Sequence, residues 1–218
     1  MRDEPTLQIS EIFYSIQGES AYAGYPCLFF RLAGCNLRCS YCDAKYTYEE
    51  PATATPFSTL LSEAARYPNA LIEITGGEPL LQEGVYPLMD ELLAAGHTVL
   101  LETNGSLSIA RVPKEVVKII DLKCPDSGMA EKMDLANLDL LTPHDEIKFV
   151  VSSRPDYDWA RAMIAERRLA EKAKLILSPV IGRLAPALLA QWLMSDALPA
   201  RLQLQLHTLL WPGMKRGV

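Results

Sequence analysis

Cys35, Cys39 and Cys42 are the residues of this 218-residue chain whose type and spacing speak most directly of chemistry. A cubane iron–sulfur cluster takes one ligand on each of four irons, usually a cysteine thiolate. Three close cysteines with no nearby fourth leave one iron open, as a catalytic metal site leaves a coordination position free. Were residues 35–42 helical, the first and third sulfurs would lie roughly 10 Å apart along the axis, so a folded loop is required. Gly34 and Asn36 supply turn chemistry around Cys35, and Tyr41, Asp43 and Tyr46 share the loop. A structural zinc site on these thiolates needs a fourth protein ligand. Cys27, Cys124 and three scattered histidines remain for that, so zinc or plain buried thiols stand as alternatives.

The elements that must position this loop follow from pattern. Short β-rich runs alternate with helical ones, which is the mark of a parallel α/β architecture. Strands are expected at 27–32, 70–75, 98–102, 117–122, 147–151, 175–179 and 202–205, after an extended segment near 9–13. Helical periodicity fits 58–66, 85–95, 156–168 and 186–194, with Pro186 suited to a first turn. The polar stretch from Cys42 to Pro56 has no clear period and leaves room for a short helix. The cysteine loop then follows the first barrel strand, and Thr75–Glu78, Glu102–Gly105, Asp121–Lys123, Ser152–Ser153, Ser178 and His207 follow the later ones. In (β/α) barrels active sites are built at that C-terminal edge. Six to seven parallel strands are too few to close an eight-stranded barrel, so a partial barrel with an open side is expected.

Composition agrees. At 49% apolar the chain can bury one sizeable core, which points to a single domain over 1–218. No run approaches the ~20 apolar residues of a membrane span, and no charged leader precedes an apolar stretch. A soluble cytoplasmic protein is therefore expected, and a reducing compartment is what an exposed thiolate cluster requires. The net charge of −6 argues against direct nucleic-acid binding.

Several strings surround the cysteines: Phe13-Tyr14-Ser15-Ile16-Gln17-Gly18-Glu19, Arg31-Leu32-Ala33-Gly34-Cys35, Thr75-Gly76-Gly77-Glu78-Pro79, Glu102-Thr103-Asn104-Gly105, Asp121-Leu122-Lys123-Cys124-Pro125 and Gln205-Leu206-His207. With the Cys-x3-Cys-x2-Cys spacing, the chain resembles the radical S-adenosylmethionine superfamily and, within it, the 7-carboxy-7-deazaguanine synthases. The likeness runs from about residue 8 to 207. It implies a partial barrel, a [4Fe–4S] cluster on Cys35, Cys39 and Cys42, and S-adenosylmethionine on the open iron. It further implies conversion of 6-carboxy-5,6,7,8-tetrahydropterin to 7-carboxy-7-deazaguanine, begun by hydrogen abstraction at C6 and ending in loss of ammonia. A flavodoxin or ferredoxin-like reductant and a homodimer belong to the same picture.

By this resemblance cofactor contacts fall to Tyr41, Cys42, Asp43, Gly76, Gly77, Glu78, Glu102, Lys123 and Ser178, and substrate contacts to Ile16, Gln17, Gly18, Glu19, Arg31 and Thr75. Physical reasons stand beside it. Two glycines let backbone approach a ligand at a strand end, although Gly-Gly-x-Pro also makes an ordinary turn. Glu102 ends an apolar strand, placed to accept from ribose hydroxyls or to cap a turn. Arg31 lies within an apolar strand, where a guanidinium needs a partner; its rigid fork suits a carboxylate, whether the ligand's, Glu19 or Asp43. Lys123 faces the mouth or pairs with Asp121. Cys124 is taken as non-ligating, Cys27 as a small hydrophobe, His97 as structural, and Gln205 and His207 as candidates by resemblance. No residue stands out as a general base.

Two departures from the family pattern bear on magnesium and on the tail. A hydroxyl residue that ligates magnesium commonly follows the Cys-Asp pair, and Ala44 stands there; a methyl cannot coordinate a hard cation, which leaves Asp43, Thr47, substrate oxygens and water. Thr208 stands where a basic residue is common. The rival readings are a glycyl-radical-enzyme activase and a non-catalytic zinc or iron–sulfur interaction module.

Overall fold

A computed structural model describes residues 4–214 and 216–218. Nine strands form one sheet in the order β3-β1-β2-β4-β5-β6-β7-β8-β9. They are β1 (Thr6–Ile16), β2 (Pro26–Leu32), β3 (Thr53–Pro56), β4 (Leu71–Gly76), β5 (Val99–Thr103), β6 (Val117–Asp121), β7 (Glu146–Val151), β8 (Lys174–Pro179) and β9 (Arg201–Leu202). From β2 onward through β4 to β9 every pairing is parallel, while β1 runs antiparallel to both β2 and β3. The expected partial barrel of six to seven parallel strands is thus present, and its sheet does not close.

Of the helices, α1 (Tyr46–Glu49) follows the cysteine loop at the cavity, α2 (Phe57–Ala65), α3 (Val85–Ala94), α4 (Arg154–Glu166) and α5 (Pro186–Ser195) cover the outer face, and α6 (Leu206–Leu210) returns to the cavity. In α3 the buried residues are Val85, Leu88, Met89 and Leu92, the i, i+3, i+4, i+7 spacing of one helical face. Ser153 caps α4 by accepting from the Asp156 N–H, and prolines open α4 and α5.

Strand alternation separates two environments. Leu28, Phe30 and Leu32, Ile72 and Ile74, Val99 and Leu101 pack outward with α2 and α3, and Ile147, Phe149, Val151, Leu175 and Leu177 pack outward with α4 and α5. Their neighbours point inward in two tiers. Leu100, Val117 and Ile119 pack at the lower end with Leu71 and Tyr22; above them Arg31, Glu73, Thr75, Glu102, Asp121, Lys148 and Ser178 line a cavity.

Three features differ from the sequence expectation. Beta pairing at the start is longer, because β1 spans eleven residues and recruits β3. The last strand is only Arg201–Leu202, and Gln205 and His207 belong to the start of α6 rather than to a strand. Ser152 and Ser153 serve Asp126, Asp156 and the α4 cap instead of the mouth. β9 pairs with β8, the last of these bonds running from the Gln203 N–H to Leu177 C=O at 2.9 Å, and the chain beyond it turns to the segment after β1. Gly18 C=O accepts from the Leu206 N–H at 3.0 Å, and Ser20 C=O accepts from the Arg201 and Gln203 side chains. The segment following β1 therefore bridges the side expected to be open.

Candidate active site

The cysteine loop leaves β2 through Gly34, whose φ is +91°, and turns back through a Cys42 N–H to Cys39 C=O bond of 3.2 Å. All three thiols line the cavity. Cys35 Sγ accepts from the Leu37 N–H at 3.5 Å and lies 3.8 Å from Asn104 Nδ2, donors of the kind that tune a ligating sulfur. Burial pushes the Cys39 and Cys42 thiols up, and Lys123 pulls both back. Among the described residues no three His, Cys, Asp or Glu side chains converge on a position for one ion. Three thiols at one cavity are the donor type that an iron–sulfur cluster takes, one to an iron. Cys124 and Cys27 are buried and do not line the cavity.

The diglycine does something different from what its strand-end position suggests. Gly76 has φ +142°, and a Cβ there would stand 2.6 Å from Leu32 N; a Cβ on Gly77 would stand 2.7 Å from Cys35 Cβ. The Gly77 and Glu78 N–H groups donate to Leu32 C=O and Gly34 C=O, at 3.2 and 2.8 Å. These glycines thus let β4 press against the cysteine loop, and those two N–H groups are already spent. Glu78 is fully buried and absent from the cavity wall: it accepts from Leu80 N–H, Thr103 O–H and Asn104 N–H. Its side chain ties the end of β4 to the end of β5, so of the residues given a cofactor contact by resemblance Glu78 is the one that stands outside the cavity wall.

The cavity measures about 770 Å³, within the range of small-molecule sites. Around it stand Ile16, Gln17, Gly18, Glu19, Arg31, Cys35, Cys39, Tyr41, Cys42, Asp43, Thr75, Gly76, Gly77, Glu102, Lys123 and Ser178. Every residue to which the resemblance gave a cluster, cofactor or substrate contact, except Glu78, therefore shares one wall, joined by Gln205 and His207. Several are already partnered. Tyr41 O–H donates to Val150 C=O at 3.1 Å, and Ser178 O–H to Gln203 C=O at 3.1 Å. Arg31 Nε pairs with Glu11 at 2.7 Å, so its partner is neither Glu19 nor Asp43. Lys123 pairs with Asp121 at 2.7 Å. Thr47 is buried with its hydroxyl donating to Ala44 C=O at 2.8 Å, and Asp43 is exposed at the wall.

Sequence reading missed the charges that organise this wall. Lys148 is buried, and its ammonium reaches Glu19 at 2.7 Å and the Glu102 carboxylate, with Asp121 3.7 Å away. Burial works against the ammonium, yet Glu102 and Glu19 hold its pKa well above the usual lysine value. The same contact brings the Glu102 carboxyl below the usual range despite its own burial. Glu73, in contact with the Gln17 amide, goes the other way: burial, then Glu102 and Glu19, push it well up. A charge inside an otherwise apolar run, as in Leu71-Ile72-Glu73-Ile74 and Ile147-Lys148-Phe149, was the available signal. Asp121 lines the cavity, and its Oδ1 is buried without a partner among the described residues.

The radical SAM superfamily model matches residues 31–174. The chain is 47% identical to the 7-carboxy-7-deazaguanine synthase of Chlorobaculum tepidum, over all of both chains. It is 44% identical to that of Koribacter versatilis, over 97% of this chain and 100% of that one. The crystal structure of QueE from Escherichia coli shares the fold, with a TM-score of 0.75 at 23% identity over 91% of this chain and 94% of that one. With three thiols, a diglycine and a charged wall in one cavity at the strands' C-terminal edge, the chain belongs to the radical SAM superfamily and, within it, to the 7-carboxy-7-deazaguanine synthases.

Proposed function

We propose that this cavity converts 6-carboxy-5,6,7,8-tetrahydropterin to 7-carboxy-7-deazaguanine with loss of ammonia, and that its wall divides the labour. Cys35, Cys39 and Cys42 hold a [4Fe–4S] cluster, and S-adenosylmethionine lies along Tyr41, Asp43, Gly76, Gly77, Glu102, Lys123 and Ser178. When bound, the pair supplies one-electron cleavage of the sulfonium and hydrogen abstraction from substrate. Ile16, Gln17, Gly18, Glu19, Arg31 and Thr75 take the pterin. Glu102, kept ionised by Lys148, accepts from ribose hydroxyls. Arg31, one nitrogen of which is spent on Glu11, offers its remaining N–H donors to the substrate carboxylate. The observation that carries this division is that both sets, drawn from distant stretches of sequence, line a single cavity.

No helix among the described residues is long and apolar enough to cross a membrane. We place the enzyme in the cytoplasm as one domain, working as a homodimer with a flavodoxin or ferredoxin-like reductant and no nucleic-acid partner. Magnesium binds through Asp43, substrate oxygens and water, since Ala44 contributes no ligand. The test is anaerobic incubation of the reconstituted protein with dithionite, S-adenosylmethionine and the carboxytetrahydropterin, across a magnesium series, alongside Ala44→Ser. The expected result is a deazapurine product, with Ala44→Ser reaching half-maximal rate at lower magnesium. Deoxyadenosine without a deazapurine sinks the substrate reading. For the division of the wall, Arg31→Ala is expected to raise KM for the pterin while iron content stays at about four per chain.

A further inference from the structure

Lys148 stands where the two halves of the wall meet. Its side chain is 7% exposed, and its ammonium donates to Glu19 Oε2 at 2.7 Å and to the Glu102 carboxylate. Glu19 belongs to the segment bridging the barrel's open side, whereas Glu102 ends β5. The other nearby cations are committed elsewhere, Arg31 to Glu11 and Lys123 to Asp121. Each carboxylate has one further neutral support: Gln205 Nε2 donates to Glu19 at 2.7 Å, and the Thr75 hydroxyl donates to Glu102 at 3.2 Å. Neither support reaches across to the other carboxylate, so among the described residues the two are linked by this one nitrogen.

An ammonium is suited to that task. It carries three donors on a single atom, and burial strengthens each contact. A lysine serving stability alone would neutralise carboxylates away from ligand space. Here lysine and both carboxylates line the cavity. Removing it leaves Glu19, Glu102 and Glu73 as mutually repelling groups in one buried volume, and they separate or take up protons.

We propose that Lys148 is a positioning residue: by holding Glu19 and Glu102 on one nitrogen, it fixes the substrate subsite against the cofactor subsite, so that the carbon giving up hydrogen faces the carbon that takes it. This rests on the assignment of the two subsites above. Small misplacements of reacting atoms are costly, of the order of a hundredfold for about 1 Å.

The test compares wild type with Lys148→Met, which keeps length and loses charge, and with Lys148→Arg, which keeps charge. Iron content, melting temperature, the separate KM values for S-adenosylmethionine and the pterin, and the ratio of 5′-deoxyadenosine to deazapurine are measured together. Lys148→Met is expected to keep its iron, to lose about a hundredfold in kcat/KM, to raise both KM values and to raise the ratio several-fold. Lys148→Arg is expected to recover part of each. A lower melting temperature with unchanged KM values and ratio overturns the proposal, as does a change confined to one ligand. If Lys148→Met does not fold, Glu19→Gln replaces it: a raised KM for S-adenosylmethionine, which Glu19 does not contact in this reading, supports the bridge, and an unchanged one overturns it. Wild type that cleaves S-adenosylmethionine but makes no deazapurine indicts the substrate reading instead, and the shift in cofactor KM still reports on the bridge.

Discussion

Gly77 leaves no room for a methyl group, because its backbone lies against Gly34 and Cys35. Gly77→Ala is therefore expected to shift the first thiol and cost about 1–3 kcal/mol of stability; reduced iron uptake after anaerobic reconstitution, read from the visible absorbance, checks it. Glu73 carries a second residue-scale prediction. Its folded pKa lies above the unfolded one, so its contribution to stability is complete below the ordinary carboxylate range and is lost as pH climbs towards the folded value. Glu73→Gln removes that loss. The variant is expected to gain on wild type with rising pH, by at most about 1.4 kcal/mol per unit, in denaturant melts run from pH 5 to 8. The thiols, Arg31 and the diglycine were legible because their types are unusual where they stand. Lys148 and the Arg31–Glu11 pair were not, because a buried ion pair is made by strands far apart in sequence, and one strand's pattern names only half of it.

At the scale of elements, the stretch after β1 does more than turn the chain. Ala21 N–H is held by Glu146 at 2.9 Å, and Tyr22 packs on Leu71, Leu100, Val117 and Ile119 beneath the charged tier. Tyr22→Ala is expected to cost about 2–3 kcal/mol and to raise KM for the pterin, since Gln17 and Glu19 hang from the same loop; thermal melts and steady-state kinetics separate the two effects. Helix positions and the parallel strands could be read within one to three residues, because periodicity and prolines mark them. The end of β9 could not. Gln203-Leu204-Gln205 alternates like a strand, but the bonds to β8 end with the Gln203 N–H on Leu177 C=O at 2.9 Å, and beyond that the chain meets a loop that offers Gly18 C=O to the Leu206 N–H.

For the whole molecule, sequence pattern foretold six to seven parallel strands and a site at their C-terminal edge, and it foretold an open flank. The flank is occupied, for a reason no local pattern carries: the bridging segment is specified by what it meets on β9, β7 and the lower core. Ser20, buried at φ +62°, is the joint at which the chain bends to reach all three. Guest and container are consequently fastened by the same stitches. Breathing of the barrel along its seam must loosen whatever rests on Gln17 and Glu19, and a seated pterin must in turn quiet the seam. Amides of residues 203–206, some distance along the chain from any strand that grips the ligand, are expected to exchange with deuterium more slowly once the pterin is added; equal rates with and without it would mean that the seam and the pocket move independently.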